Sequence, residues 1–416
     1  MTRQWVKGRL EKKESIYRNT YANYMIMSIL WFVSNVWKIL INAMRANISL
    51  ATTTTAPIMY QTETLDAFSI WYSQWHGYIS LLICSFGIPL NMFNITVLTQ
   101  RKMLTPINCI LTWLAVSDIA TMASYVPFAT HFYCQHSANS ISAEKNSWTW
   151  MHFLLVYLNF SATTHTVSIW LGVSLAIFRH HHLQSPAKGN LTRIRRLIRA
   201  RLVVFVIFVG SILVMVPNYL SHHLSEINLG DNATGYIFES WELGSGKERP
   251  IILVGLFLYS ILAKLVPCVL IIVYGSLLLI TLNNTIRNKR RRLNENGVCM
   301  GSQRHASRTT VMLLIVMILF LITELPQAVL IMCCIFFKDF FEKVYIPLGD
   351  AMDIIALVNS SINFVLYCTM SQEFRRTFIR LFCSCSAAMF QRQPKSYIST
   401  QLRHNELHAT FIERTQ

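Results

Sequence analysis

Seven stretches of this chain are long enough to cross a bilayer and almost free of charge, and nothing else in the sequence limits the fold so strongly. They run roughly His76–Thr99, Ile107–Phe132, Trp150–Phe178, Ala200–Ser221, Ile251–Leu282, Arg308–Ile335 and Ile346–Thr369. A helix needs about 20 apolar residues to cross the hydrocarbon core. No water is available there to pair a backbone N–H or C=O, so each stretch must be helical. The expected fold is an all-α membrane protein, a seven-transmembrane helix bundle. Pro89, Pro127, Pro217, Pro267 and Pro326 fall inside the stretches. In water they would argue against helix; in a bundle, neighbouring side chains satisfy the freed carbonyls and the helix kinks.

Charge sets the orientation. Only 14% of the residues are charged, against about 25% in a soluble domain. The net charge of +17 is concentrated in the short segments between spans, which argues against nucleic-acid binding. Alternate segments on one side, with the stretch after Thr369, hold 23 Lys and Arg, and the three loops on the other side hold five. The base-rich side is expected to be cytoplasmic. The C-terminus then lies inside, in a multi-pass protein, and the chain before His76 lies outside.

This divides the chain into an N-terminal region (1–75), the bundle (76–370), an amphipathic helix on the membrane surface (371–385) and a cytoplasmic tail expected to be disordered (386–416). The N-terminal region contains an eighth apolar segment, about 21–41, that follows a basic run. It reads as a signal anchor, a signal peptide, or an extension outside the mature protein. Glycosylation sequons on the expected outer side are at Asn47 and Asn232. In the surface helix Phe374, Phe378, Leu381 and Phe382 share a face, with Arg375, Arg376 and Arg380 beside it, a pattern that suits contact with membrane lipid. Cys383 and Cys385 follow, either as palmitoylation sites or as ordinary reduced thiols.

The polar residues inside the spans carry the functional information, because each is costly in lipid. In order they are Gly87-Ile-Pro-Leu-Asn91, Leu114-Ala-Val-Ser-Asp118, Phe178-Arg179-His180, Pro267, Thr323-Glu-Leu-Pro326 and Asn359-Ser-Ser-Ile-Asn363-Phe-Val-Leu-Tyr367. In this order and spacing, from about Gly77 to Phe382, they resemble rhodopsin-like G-protein-coupled receptors. A closer resemblance is to the invertebrate FMRFamide-related and myosuppressin-like peptide receptors and the related nematode serpentine class W. It is carried by Leu104–Thr112, Tyr125-Val-Pro-Phe-Ala129, His165-Thr-Val-Ser-Ile-Trp-Leu171, Val216–Leu220, Leu321-Ile-Thr-Glu-Leu-Pro-Gln327 and Asn359–Cys368.

The resemblance implies an extracellular peptide ligand, amidated and ending in Arg-Phe, and a heterotrimeric G protein of inhibitory type. It implies that Asp118, Ser168, Asn359 and Asn363 organise water or an allosteric sodium ion, or else form a polar knot that only holds the helices together. No other metal or cofactor is expected. Arg179 takes the part of the arginine that locks the inactive state and meets the G protein, unless it merely snorkels to the headgroups. Its neighbours depart from the wider class, with Phe178 for an acid and His180 for a tyrosine. Tyr367 and Asn363 match the seventh-span switch, but Phe364 stands where proline is usual. Glu324 stands where tryptophan is usual, either as a ligand contact or as a buried hydrogen-bond donor.

Asp353 and Asp350, one turn apart near the outer end of the seventh span, are candidate partners for a ligand Arg. The competing reading is a water-facing pair at a helix start. Glu324, Gln327 and Lys264 complete the candidate ligand set. The outer loop Ser221–Pro250 adds Glu226, Asp231, Glu239, Glu242 and Glu248 against Lys247 and Arg249, a field that favours a cationic ligand.

That loop has no Cys, so the usual bridge to the third span is absent, and Cys134 with Cys333 or Cys334 is the pair left open on that side. Ser161 and Leu357 occupy the positions of the amine-binding Asp and the retinal-binding Lys, which sets both ligand classes aside. An orphan chemoreceptor of the same fold remains the alternative. A transporter would show internal repeats, which are not visible. An enzyme would need a nucleophile, metal or phosphate motif, and none is visible.

Overall fold

A computed structural model describes residues 63–184, 189–229, 233–238, 250–296, 301–336 and 340–382. The apolar segment 21–41, Asn47, Asn232, Cys383, Cys385 and the tail 386–416 lie outside the described residues. Seven helices among the described residues are long and apolar enough to cross a membrane. They are α1 (Glu63–Leu98), α2 (Pro106–Ala129), α3 (Trp148–Gln184), α4 (Asn190–Ser221), α5 (Pro250–Leu258 and Val266–Asn296), α6 (Gly301–Phe336) and α7 (Ile346–Met370). A short α8 (Gln372–Phe382) follows. The helix of the first span starts at Glu63, earlier than the His76 expected, and the apolar helix extends from Leu65 to Leu98.

Three wide π turns were not anticipated. Thr130–Gln135 extends α2, Tyr259–Leu265 joins the two parts of α5, and Phe341–Tyr345 leads into α7. The middle one has a local cause. In a π turn the Leu262 carbonyl would bond to the N–H of residue 267, but Pro267 has none. The Trp170 indole N–H donates to the Leu262 oxygen at 3.1 Å instead. A neighbouring helix thus satisfies the group that proline orphans, as lipid burial requires.

The helices form a ring in which α1 packs on α2 and α7, and α6 on α5 and α7, while α3 runs through the middle against α2, α4, α5 and α6. Close approach is paid for in side-chain volume at Gly87, where a Cβ would meet Ser361 Oγ at 2.5 Å and Met122 Sδ at 2.6 Å. At the base-rich end, Ser371 caps α8 through the Phe374 N–H at 3.3 Å. Phe364 packs on Phe378 (5.3 Å) and Phe374 (5.9 Å), and Phe93 of α1 closes the cluster against Phe364 at 5.9 Å. The residue that replaces the usual proline therefore anchors α8 to the bundle.

On the other side, β1 (Leu224–Asn228) and β2 (Thr234–Phe238) form an antiparallel hairpin with Leu224 opposite Phe238. Asn146, just ahead of α3, holds it twice: Asn146 Nδ2 donates to the Tyr236 carbonyl at 3.1 Å, and the Tyr236 N–H donates to the Asn146 carbonyl at 2.8 Å. Cys134, Cys333 and Cys334 are free thiols, so the bridge left open by the sequence does not form. In the same loop the Lys145 ammonium donates to the carbonyls of Ser137, Ala138 and Ser140 at 2.6–3.0 Å. Burial draws its pKa below the ordinary lysine value.

Candidate ligand cavity and signalling residues

The outer third of the bundle brings four elements together around the two α7 carboxylates. Tyr133, on the π turn after α2, donates its hydroxyl to Asp350 Oδ1 at 2.6 Å. Tyr125 of α2 donates to Asp353 Oδ2 at 3.2 Å, and its oxygen lies 2.6 Å from His76 Nε2 of α1. The His76 ring is fully buried and packs on Tyr133 with centroids 4.5 Å apart. Its Nδ1 has no hydrogen-bond partner among the described residues. Phe128 stacks on Tyr157 of α3 at 4.4 Å, adding an aromatic wall. Among the described residues no Lys or Arg lies within ion-pair distance of Asp350 or Asp353. They are half-buried and held by phenols, so they are not the water-facing pair that the sequence left as one reading.

Between α3, α5 and α6 the arrangement is the opposite. Lys264, on the π turn of α5, has its ammonium 2.8 Å from Glu324 Oε2 and 2.7 Å from Gln327 Oε1, both on α6. His165 of α3 places Nε2 2.9 Å and 3.0 Å from the two Glu324 oxygens. The Lys264 and Glu324 side chains are 0% and 2% exposed. Neither reading of Glu324 from the sequence anticipated this. Its carboxylate is already neutralised by a lysine reached across helices, and it is also within hydrogen-bond distance of a histidine. Lys264 and Gln327, expected in the ligand set, are committed to the same cluster.

At mid-membrane Asp118 accepts from Asn363 Nδ2 at 3.1 Å and, weakly, from Ser168 Oγ at 3.5 Å. Asn359 does not join them; its amide reaches Thr323 Oγ1 at 3.4 Å. Three of the four expected members therefore converge, and the fourth ties α7 to α6. Asn91 completes the region by donating to the Gly87 and Ser360 carbonyls at 3.1 and 3.0 Å.

Arg179 is 6% exposed, inside the helix cluster at the base-rich end of α3, so it does not snorkel outward. Tyr367 is 2% exposed and packs its ring on Phe374 of α8 at 5.6 Å. The residues that sequence reasoning left without a role are His76, Tyr125, Tyr133 and His165. Each is a polar aromatic within or directly beside an apolar span, which by itself marks a functional candidate. Their partners, 49 to 228 positions away, could not be assigned without the fold.

Comparison with known proteins agrees with this architecture. The chain is 27% identical over 383 residues to the G-protein coupled receptor dmsr-1 of Caenorhabditis elegans, covering 80% of this chain and 74% of that one. It is 24% identical over 349 residues to the sex peptide receptor of Drosophila melanogaster (78% and 76% covered). It is 25% identical over 333 residues to the thyrotropin-releasing hormone receptor of Mus musculus (73% and 78% covered). Residues 78–385 match the family described as serpentine type 7TM GPCR chemoreceptor Srw. The chain belongs to that family: it is a G-protein-coupled receptor, a multi-pass membrane protein that transmits a signal and is not an enzyme.

Proposed function

We propose that this receptor responds to an amidated neuropeptide of the FMRFamide-related or myosuppressin-like kind, whose penultimate Arg pairs with Asp353 and Asp350. One observation carries the reading. Two adjacent carboxylates near the outer end of α7 have no basic partner among the described residues, whereas the third carboxylate, Glu324, already has one. A guanidinium with its planar set of donors is the ligand group that such a pair would neutralise. Phe128, Tyr125 and Tyr157 beside it offer packing for a terminal aromatic ring. Two of the similar receptors are named for the sex peptide and for thyrotropin-releasing hormone, which supports a peptide ligand.

In this reading Arg179 and Tyr367 transmit the change to a G protein of inhibitory type at the cytoplasmic, base-rich end. Asp118, with Ser168 and Asn363, holds water or a sodium ion whose displacement accompanies activation. The receptor works at the plasma membrane with Asn47 and Asn232 glycosylated outside and Cys383 and Cys385 palmitoylated inside.

The test is a screen of amidated peptides on cells expressing the chain, followed by a cycle of substitutions. Asp353→Asn, and citrulline in place of the peptide Arg, should each cost roughly 2–5 kcal/mol, or about 30-fold to several-thousand-fold in potency. The double change should cost little more than either alone. Fully additive losses would show that the two groups do not meet. The second reading, a chemoreceptor of the same fold for a small molecule, is favoured by the family's description. A response to small volatile or soluble compounds with none to any amidated peptide would select it.

A further inference from the structure

The first span is longer than a bilayer requires. Its helix α1 has 36 residues, about 54 Å at 1.5 Å per residue, against roughly 30 Å of hydrocarbon. Much of the excess stands at the outer end. α1 meets the end of α2 at Gly77, where an added Cβ would lie 2.7 Å from Tyr133 Cβ and 2.8 Å from Cys134 Sγ. The π turn that carries Tyr133 stops at Gln135. From Gly77 back to Glu63 the helix rises about 21 Å more. Tyr133 bonds Asp350, so this extension stands above the level of the α7 carboxylates.

Rings line one side of the extension. His76, Tyr72 and Phe68 are four residues apart, so each stands about one turn above the last. Tyr72 meets His76 edge on at 5.9 Å, and Phe68 lies on Tyr72 at 5.5 Å with the planes 10° apart. At the foot of the stack His76 packs on Tyr133 at 4.5 Å. Tyr72 is half-buried and Phe68 is 37% exposed, so the stack opens outward from the acid pair. The exposed Trp71 and Tyr78 lie on another side, about 140° or more around the helix from His76 at 100° per residue. Those two suit the interfacial belt of a span; the stacked rings continue the wall of the candidate ligand cavity.

We propose that Tyr72 and Phe68 form a subsite for an aromatic side chain of the peptide ligand, two residues ahead of its arginine. The inference rests on the reading that this arginine pairs with Asp353 and Asp350. Spacing then selects the position. Tyr72 and Phe68 stand about 6 and 12 Å above His76, and an extended peptide advances about 3.3 Å per residue. Its side chains alternate between two faces, so the second residue before the arginine shares the arginine's face and arrives at the height of Tyr72. A ring there extends the stack between Tyr72 and Phe68, in the offset or edge-on contacts that aromatic pairs prefer.

Guanine-nucleotide exchange in membranes from cells expressing the full-length receptor tests this with two synthetic peptides, Phe-Leu-Arg-Phe-amide and Ala-Leu-Arg-Phe-amide. On the wild type the first should be about tenfold more potent than the second. Tyr72→Leu and Phe68→Leu should each shrink that ratio, and together bring it close to one. The potency of the alanine peptide should stay as it is in every variant, which also shows that the variants fold. Tyr72→Phe, which keeps the ring, should keep the ratio. Equal potency of the two peptides on the wild type overturns the proposal, and so does a ratio that survives the double variant. Either result leaves the arginine pairing standing. Activation by neither peptide removes the reading on which the subsite rests, and the subsite with it.

Discussion

Replacing Lys264 by Met removes one half of a buried ion pair and leaves the other half behind. The ammonium is fully enclosed and makes two contacts, to Glu324 at 2.8 Å and to Gln327 at 2.7 Å. Breaking a buried pair by deleting one partner costs about 3–5 kcal/mol, mainly because the survivor is left charged and without compensation. Here Glu324 keeps His165 at 2.9 Å, so the loss should fall near the lower end, about 3 kcal/mol. Glu324→Gln keeps a carbonyl oxygen for Lys264, beside Gln327, but removes the countercharge, and a similar loss is expected. The double change Lys264→Met with Glu324→Leu removes both charges and fills their volume. It should recover most of the single-variant loss, since well-packed apolar replacements of buried pairs are often close to neutral, but not all of it, because Gln327 and His165 lose their partners.

Purified full-length receptor can be heated with a thiol-reactive dye, because Cys84, Cys268, Cys333 and Cys334 are buried and become reactive only on unfolding. Both single variants should melt well below the wild type, with the double variant recovering most of the difference. A Lys264→Met receptor as stable as the wild type would refute the reasoning, since it would mean that the pair is not closed in the folded state. Additive losses in the double variant would refute it equally, since they would mean that the two side chains do not compensate each other.

Three further outcomes are expected. Arg179→Ala should abolish G-protein signalling while leaving surface expression and ligand binding largely intact, because Arg179 lies at the opposite end of α3 from the cavity; an undiminished agonist response would remove it from the switch. Gly87→Ala inserts a methyl within 2.6 Å of Met122 Sδ and Ser361 Oγ, an overpacking cost of roughly 1–3 kcal/mol that lower surface expression would register. Asn146→Ala deletes the side-chain bond to the Tyr236 carbonyl, worth about 1 kcal/mol, and amide exchange in β1 and β2 should quicken while that in the helices does not change.

Much of this receptor is legible in the sequence because lipid imposes local rules. A span must be apolar over its own length and must satisfy its own backbone, so seven windows yield seven helices without knowledge of their neighbours. The surface helix was equally readable, since the positions of Phe374, Phe378 and Phe382 share a face in any helix. The ordered motifs around Asp118, Arg179 and Asn363 located the polar residues along each span, and three of the expected Asp118 set do converge.

The pairings between helices were a different matter, because they depend on rotation and height of elements far apart in the chain. Lys264 is 60 positions from Glu324 and Tyr125 is 228 from Asp353. A shift of one residue in either helix would turn such a side chain by about 100° and separate the pair. For that reason the sequence left Glu324 open as a ligand contact or a buried donor, and Asp350 and Asp353 open as ligand partners or a water-facing pair. Only the packed bundle distinguishes the neutralised one from the two held by tyrosines, directs Asn359 to Thr323 instead of Asp118, and sets Trp170 against the carbonyl that Pro267 orphans.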